Sequence, residues 1–168
     1  EKLMRSMLAM SNTRTGGSIA IGVKETDKGY SFNGVPESHL KIFKSKIEDL
    51  KSKIESFSSS SVNYDMGLGV YRGQHIILIK VNEFILNPII CRRNGENAER
   101  ILEEGAIYIR TLKDKPSSVK LTNPVDIQDF LERVTDKQIK NLHKRGWKHD
   151  TEKSINSKSN FEKERYNF

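Results

Sequence analysis

The chain has 168 residues, a net charge of +7, four histidines and a single cysteine, Cys91. Its length suits one compact domain with a polar extension, and its one cysteine and scattered histidines argue against a disulfide or a structural zinc site. No stretch reaches the roughly 18 apolar residues of a membrane span, and no signal peptide opens the chain. We therefore expect an intracellular, cytoplasmic protein that has no membrane segment.

The first 35 residues predict a helix, a turn and two strands. An amphipathic helix over residues 1–11 leads into a polar turn that ends at Gly16-Gly17, where glycine supplies the positive φ that turns often need. Ile19 to Val23 is almost wholly apolar and predicts a strand buried on both faces, or nearly so. A charged turn at 24–29 and a short return strand at 30–35 follow.

The next segment carries the clearest helical period in the chain. Between Leu40 and Phe57, apolar residues are spaced alternately three and four apart, which predicts one long helix lying on a sheet. A seam for a partner helix is the alternative, but the pattern lasts barely two and a half heptads.

The second half predicts a hairpin, another strand and a closing helix. Met66 to Tyr71 and His75 to Val81 flank a two-residue turn, and the β-branched second segment predicts a central strand. In residues 105–111, the apolar Ile107 and Ile109 alternate with Tyr108 and Arg110, which predicts a half-exposed strand. Asn123-Pro124 is a typical helix start, because asparagine caps and proline suits the first helical position.

These elements predict an α+β fold, with a mixed β-sheet of about five or six strands packed against two or three helices. We expect one domain over residues 1–135. Residues 136–168 are rich in Lys, Ser, Asn and Glu, and we expect them to form a basic polar tail that is partly helical or disordered.

Taken in order, these segments resemble the divergent AlbA domain of Schlafen-type proteins, which is also found at the front of bacterial regulators. The matching segments are Ala9 to Thr13, Gly16-Gly17, Ile19 to Val23, Gly34-Val35, Asn87-Pro88, Gly105 to Arg110 and the helix from Asn123. Family members usually begin with a strand that carries a Glu and a Glu-Phe-Lys-like triplet. Nothing here corresponds to that strand, and we expect it to be missing.

The resemblance implies a catalytic alternative. Schlafen relatives that cut RNA hold a divalent metal with three carboxylates, two of them on the missing strand, and a metal needs such clustered oxygens to generate a hydroxide. This chain offers at most Glu25 or Asp27. We therefore expect no cleavage and no cofactor, with Mg²⁺ or Mn²⁺ required only if the chain belongs to an endoribonuclease completed from outside it.

The resemblance, together with the basic balance, favours nucleic-acid binding through contacts to the phosphate backbone. Tyr108 is a candidate for stacking on a base. The basic candidates are Arg14, Lys24, Arg92, Arg93, Arg110, Lys113 and Lys115. A module for oligomerisation or partner docking is the remaining alternative. The residues do not distinguish DNA from RNA, and a homo-oligomer and a role in transcriptional regulation stay open.

Overall fold

The computed structural model describes residues 1–96, 101–111 and 116–147. Within these ranges the chain forms four helices and seven strands. In chain order they are α1 (Lys2–Ser11), β1 (Gly17–Ile21), β2 (Val23–Thr26), β3 (Gly29–Phe32), α2 (Glu37–Ser45), α3 (Ile47–Phe57), β4 (Tyr64–Tyr71), β5 (Gln74–Val81), β6 (Tyr108–Arg110), β7 (Ser118–Lys120) and α4 (Pro124–Lys144).

The predicted α+β class is confirmed, but the described strands are divided among three small antiparallel sheets where a single mixed sheet was expected. The largest sheet has the order β1-β5-β4, and the hairpins β2–β3 and β6–β7 form the other two. Gly22, at φ +98°, turns the chain out of the first sheet directly after β1. Residues 19–23 therefore do not form one continuous strand.

The β4–β5 hairpin is the element that the sequence predicts best. Its two eight-residue strands pair without interruption from Tyr64 opposite Val81 to Tyr71 opposite Gln74. The connecting residues Arg72 and Gly73 have φ of 51° and 74°. Positive φ at both turn positions matches the right-handed twist of the flanking strands. β5 is the central strand, as its β-branched sequence predicts.

The long helix expected between Leu40 and Phe57 is two helices. Lys46 separates α2 from α3 and has φ −111° and ψ 14°, outside the helical region. Leu40, Ile54 and Phe57 are buried nonetheless. The apolar spacing reports which side chains face the core, and a single non-helical residue between the two halves leaves that spacing unchanged.

The core lies between one face of the large sheet, α1, α3 and the segment that leads into β6. Its fully buried side chains include Met7, Leu8, Ile54, Phe57, Ile79, Val81, Ile89 and Leu102. The expectation that β1 is buried on both faces is wrong. β1 is an edge strand, and Ile21 at its end is 37% exposed.

Two compact units divide the chain after Phe130. In the first, Asn123 begins α4 as predicted, since its Oδ1 accepts a hydrogen bond of 2.9 Å from the amide of Val125. The second unit begins at Leu131, and α4 continues to Lys144. Residues 148–168 of the predicted tail lie outside the described residues. No helix in the described part is both long and apolar enough to cross a membrane.

Candidate functional site

Asn12, at the end of α1, joins three segments of the core. Its Nδ2 donates to the carbonyl oxygens of Ile89 at 2.8 Å and Tyr108 at 3.0 Å, and its Oδ1 accepts from the amide of Ile89 at 2.9 Å. The side chain is fully buried. A buried amide that satisfies three backbone groups holds segments together, so Asn12 is structural and does not face a ligand.

Gly16 and Gly17 turn the chain from α1 into β1. Gly16 has φ +70°, and a Cβ there would collide with the carbonyl oxygen of Val81. At Gly17 a Cβ would lie 2.7 Å from Cγ and Sδ of Met10. The two glycines thus permit close approach of backbone to β5 and to α1. This turn serves the packing of the chain, and its exposed residues are Arg14 and Thr15.

The predicted basic residues Arg92, Arg93 and Arg110 lie at the ends of segments that Asn12 joins. The guanidinium of Arg93 stands 4.2 Å from the ring centroid of Phe57, and Nη1 of Arg110 lies 3.3 Å from Oγ of Ser118. Arg92 is exposed. Both contacts hold part of a side chain while leaving donors for a ligand.

Tyr108 is not the exposed aromatic residue that the sequence predicts. It is 3% exposed, and its hydroxyl oxygen accepts a hydrogen bond of 2.8 Å from the amide of Glu103. Burial raises the pKa of the Tyr108 phenol, with the Glu103 hydrogen bond acting in the opposite direction. The prediction of a stacking ring at this position is therefore corrected, because the ring faces α1 and the core.

The two carboxylates considered for metal binding lie on the β2–β3 hairpin. Glu25 pairs across the hairpin with Tyr30, and Asp27 lies in the turn; both are exposed. Across residues 1–96, 101–111 and 116–147, no group of three or more His, Cys, Asp or Glu side chains is placed to hold a metal ion. Among the described residues, Glu25 and Asp27 thus have no third metal-binding side chain near them.

The structure does not bring the predicted basic residues to one point. Arg14 precedes the Gly17 end of β1, whereas Lys24 lies beyond the other end, about 13 Å away by strand rise alone. The segment of Arg92 runs antiparallel to that of Arg110, since Ile90 bridges Ile107. These two arginines therefore diverge. Lys113 and Lys115 lie outside the described residues.

A surface that the sequence analysis missed lies where two hairpins meet, and we call its residues, Tyr30, Phe32, Tyr71 and Arg72, the hairpin-tip surface. The rings of Phe32 and Tyr71 are 4.4 Å apart between centroids, and the guanidinium of Arg72 stands 5.4 Å from the Tyr71 ring. Tyr30 is 71% exposed and Tyr71 is 41% exposed. An exposed row of aromatic rings beside a cation is a surface on which planar groups can stack.

Contacts between the hairpins position this surface. The amide of Val35, just after β3, donates to the carbonyl of His75 at 2.7 Å. The amide of Gly34 donates to the carbonyl of Gly22 at 2.9 Å. Lys24 pairs with Ser31 and so points to the other face of the hairpin from Tyr30. The aromatic residues near the two hairpin turns were the sequence signal for this surface. Nothing in the local sequence indicated that the two hairpins contact each other.

The basic candidates differ from Lys51 and Lys120 in the availability of their positive charge. Lys51 and Lys120 form ion pairs with Glu48 at 2.7 Å and Glu103 at 2.6 Å. In the described part of the chain, no carboxylate lies within ion-pair distance of the six cations Arg14, Lys24, Arg72, Arg92, Arg93 and Arg110. Their positive charges are therefore available to a negatively charged ligand.

Comparison with known proteins places the chain in a family. No curated protein sequence matches it significantly. One similar solved structure is the solution NMR structure of the N-terminal domain of a RecG-related protein from Nitrosomonas europaea, 23% identical, with a TM-score of 0.44 over 72% of this chain and 78% of that one. The family model described as Schlafen, AlbA_2 matches residues 1–117, well over half of the 168 residues. The chain therefore belongs to the Schlafen AlbA_2 family.

Proposed function

We propose that the chain binds nucleic acid, with phosphates held by its unpaired arginines and an unpaired base stacked on the hairpin-tip surface. The observation that carries the proposal is the row of exposed rings beside Arg72, whose guanidinium stands over Tyr71. Aromatic rings next to cations bind single strands with little sequence preference, since every base has a π-face. Membership of the Schlafen AlbA_2 family and the net charge of +7 support the same class of ligand.

The dispersed arginines suit phosphate contacts better than base readout. Arg92 and Arg110 diverge from the antiparallel bridge between Ile90 and Ile107, and Arg14 lies before β1. Phosphate contacts need no convergent geometry, because each cation displaces condensed counterions independently. We therefore expect affinity that depends strongly on salt and little on sequence, for DNA and RNA alike.

Fluorescence anisotropy with labelled DNA and RNA homopolymers of about 20 nucleotides, long enough for more than one binding site, tests the proposal. We expect affinity to fall steeply as salt rises from about 50 to 200 mM, and single strands to bind more tightly than a duplex of the same length. The Tyr71→Ala variant should lose about 1–2 kcal/mol of binding free energy to single strands. Arg72→Ala should lose about 1 kcal/mol.

Lys51→Ala is the matched control, because it also removes one positive charge, but one that is already paired with Glu48. It should change the affinity by less than about twofold. Absence of binding at the lowest salt would overturn the proposed function. Equal losses in Lys51→Ala and Arg72→Ala would show that net charge, and not the hairpin-tip surface, accounts for binding.

A further inference from the structure

β4 is an edge strand whose free side can be identified from two hydrogen bonds. The carbonyl of His75 accepts from Val35 on the side where β1 lies, and the amide of Asn82 donates to Asn63 on the side of β4, at 2.7 and 2.8 Å. Successive residues of a strand point their backbone groups to alternate sides. Odd-numbered residues of β5 therefore bond towards β1, and even-numbered ones towards β4.

The register transfers this alternation to β4. Even-numbered β5 residues lie opposite odd-numbered β4 residues, as Leu78 lies opposite Gly67. The amide and carbonyl groups of Met66, Leu68 and Val70 must then point away from β5, to the free edge. No hydrogen bond to any of these six groups occurs within the described residues.

This edge lacks the features by which proteins usually protect exposed strands. β4 contains no proline, lysine or arginine, and its pairing with β5 shows no bulge. The other edge, β1, is only five residues long and ends at the Gly22 turn. On the helix-bearing face of β4, Leu68 is 43% and Val70 is 65% exposed. The backbone and the apolar side chains are thus both available to one additional strand.

The Tyr64 end of β4 lies beside α3, because Tyr64 is half-buried and the charges of Lys51, Glu55 and Glu48 act on its phenol. The available stretch therefore runs from Met66 to Tyr71. An antiparallel register centred on Leu68 pairs all three outward-facing residues, Met66, Leu68 and Val70, within this stretch. A register centred on Gly67 would need Tyr64, and one centred on Gly69 would place Met66 opposite Arg72, beyond the strand.

We propose that β4 pairs antiparallel with β4 of a second copy of this chain, around a two-fold axis at Leu68, to give a continuous six-stranded sheet. The strand is complementary to itself in this register. Leu68 meets Leu68 of the second copy, and Met66 meets Val70 of the second copy, so apolar side chains face apolar side chains.

Charge favours the same occupant. Asp65 is the only charged residue of β4, and in this register it lies opposite the neutral Tyr71 of the second copy. Like charges therefore never face each other across the axis. The outer face brings Gly67 opposite Gly69 of the second copy, so no side chain obstructs the approach there. The interface is small, which makes the dimer weak and dependent on concentration.

Sedimentation equilibrium of the intact chain tests the inference, independently of nucleic-acid binding. We expect the wild-type mass to rise from 19.3 kDa towards twice that value with concentration, up to about 1 mM. Leu68→Lys, which places two lysines face to face at the axis, should stay monomeric throughout. Leu78→Lys is the matched control, because Leu78 is also 43% exposed but lies on the central strand. It should associate as the wild type does.

A mixture of Leu68→Lys and Leu68→Glu tests the register. Each variant alone should be monomeric, whereas the equimolar mixture should dimerise at least as well as the wild type, because opposite charges then meet at the axis. A monomeric wild type at every concentration would overturn the proposal. Equal loss of association in Leu78→Lys, or a mixture that stays monomeric, would also overturn it. Circular dichroism of each variant confirms that the fold is retained.

Discussion

The segment around Asn12 and the hairpin-tip surface use their polar and aromatic groups in opposite ways. At Asn12, three hydrogen bonds are satisfied within the core and nothing is offered to solvent. At the hairpin tips, Tyr30 and Tyr71 are exposed, and Arg72 holds a positive φ that costs conformational energy. Asn12, in one of the segments that mark the family, thus maintains the fold, whereas the hairpin-tip surface lies outside those segments.

Replacing Asn12 should have the largest effect. Asn12→Ala leaves the amide and carbonyl of Ile89 and the carbonyl of Tyr108 buried without partners, and each such group costs about 1–3 kcal/mol. We expect the free energy of unfolding, measured by urea denaturation, to fall by roughly 3–5 kcal/mol. Asn87→Ala, at an exposed asparagine, should change it by less than about 0.5 kcal/mol. Similar values for the two variants would contradict a structural role for Asn12.

The next effect separates a glycine that the packing requires from one that only the turn requires. Gly16 and Gly73 have nearly the same φ, +70° and +74°, but a Cβ at Gly16 meets the Val81 carbonyl, whereas at Gly73 it meets open space. Gly16→Ala should lower the free energy of unfolding by about 3 kcal/mol, and Gly73→Ala by about 1 kcal/mol. Equal losses, measured by thermal and urea denaturation, would show that backbone strain alone matters at both positions.

A smaller effect concerns Cys91, in the core beside the Asn12 segment. Burial raises the pKa of its thiol above the ordinary value, against a smaller lowering effect of the Arg93 backbone. The folded chain therefore holds the thiol proton more tightly than the unfolded chain does. This stabilisation is complete below the ordinary pKa of a thiol and is lost as the pH rises through the raised folded value.

Between about pH 7 and pH 10, the free energy of unfolding of the wild type should thus fall more than that of Cys91→Ala. Both proteins retain Tyr108, whose pKa is raised by burial in each, and the charge of Cys91 raises it further in the wild type, which adds to the same difference. Parallel curves from urea denaturation across this range would mean that the thiol is not protected by the fold.

Local signals in the sequence predicted the elements that local chemistry determines. The β4–β5 hairpin follows from two apolar runs around a two-residue turn, and the start of α4 follows from the cap at Asn123. The break at Lys46 was not predictable from spacing, because apolar periodicity is indifferent to one polar residue leaving the helical region. The prediction of the α+β class is confirmed despite this difference, whereas the prediction of a single sheet is wrong.

The candidate site was harder to predict, because long-range contacts determine which side chains are exposed. In β6, the contacts with Asn12 and Glu103 turn Tyr108 into the core, and a one-residue change of register would have reversed its exposure. Similarly, Phe32 and Tyr71 are 39 positions apart in the chain and meet only because Val35 bonds to His75. Alternation within one strand cannot reveal either arrangement.

The smallest expected effect lies at the hairpin tip and has opposite signs for stability and binding. Among the described residues, Arg72 is the only non-glycine residue with positive φ, and asparagine tolerates that conformation better than arginine does. Arg72→Asn should therefore raise the free energy of unfolding by about 0.5–1 kcal/mol. It should also weaken single-strand binding, because the cation over Tyr71 is lost.

Arg14→Asn is the control for this variant, since Arg14 is exposed as well but has no positive φ to relieve. It should leave the free energy of unfolding unchanged within about 0.5 kcal/mol while removing one phosphate contact and lowering the salt dependence of binding. If Arg72→Asn binds as tightly as the wild type, the strain at the hairpin tip serves only the turn, and the hairpin-tip surface is not where the ligand stacks. Greater stability combined with weaker binding is the result expected when a conformation is retained for its contact with a ligand at the expense of the fold.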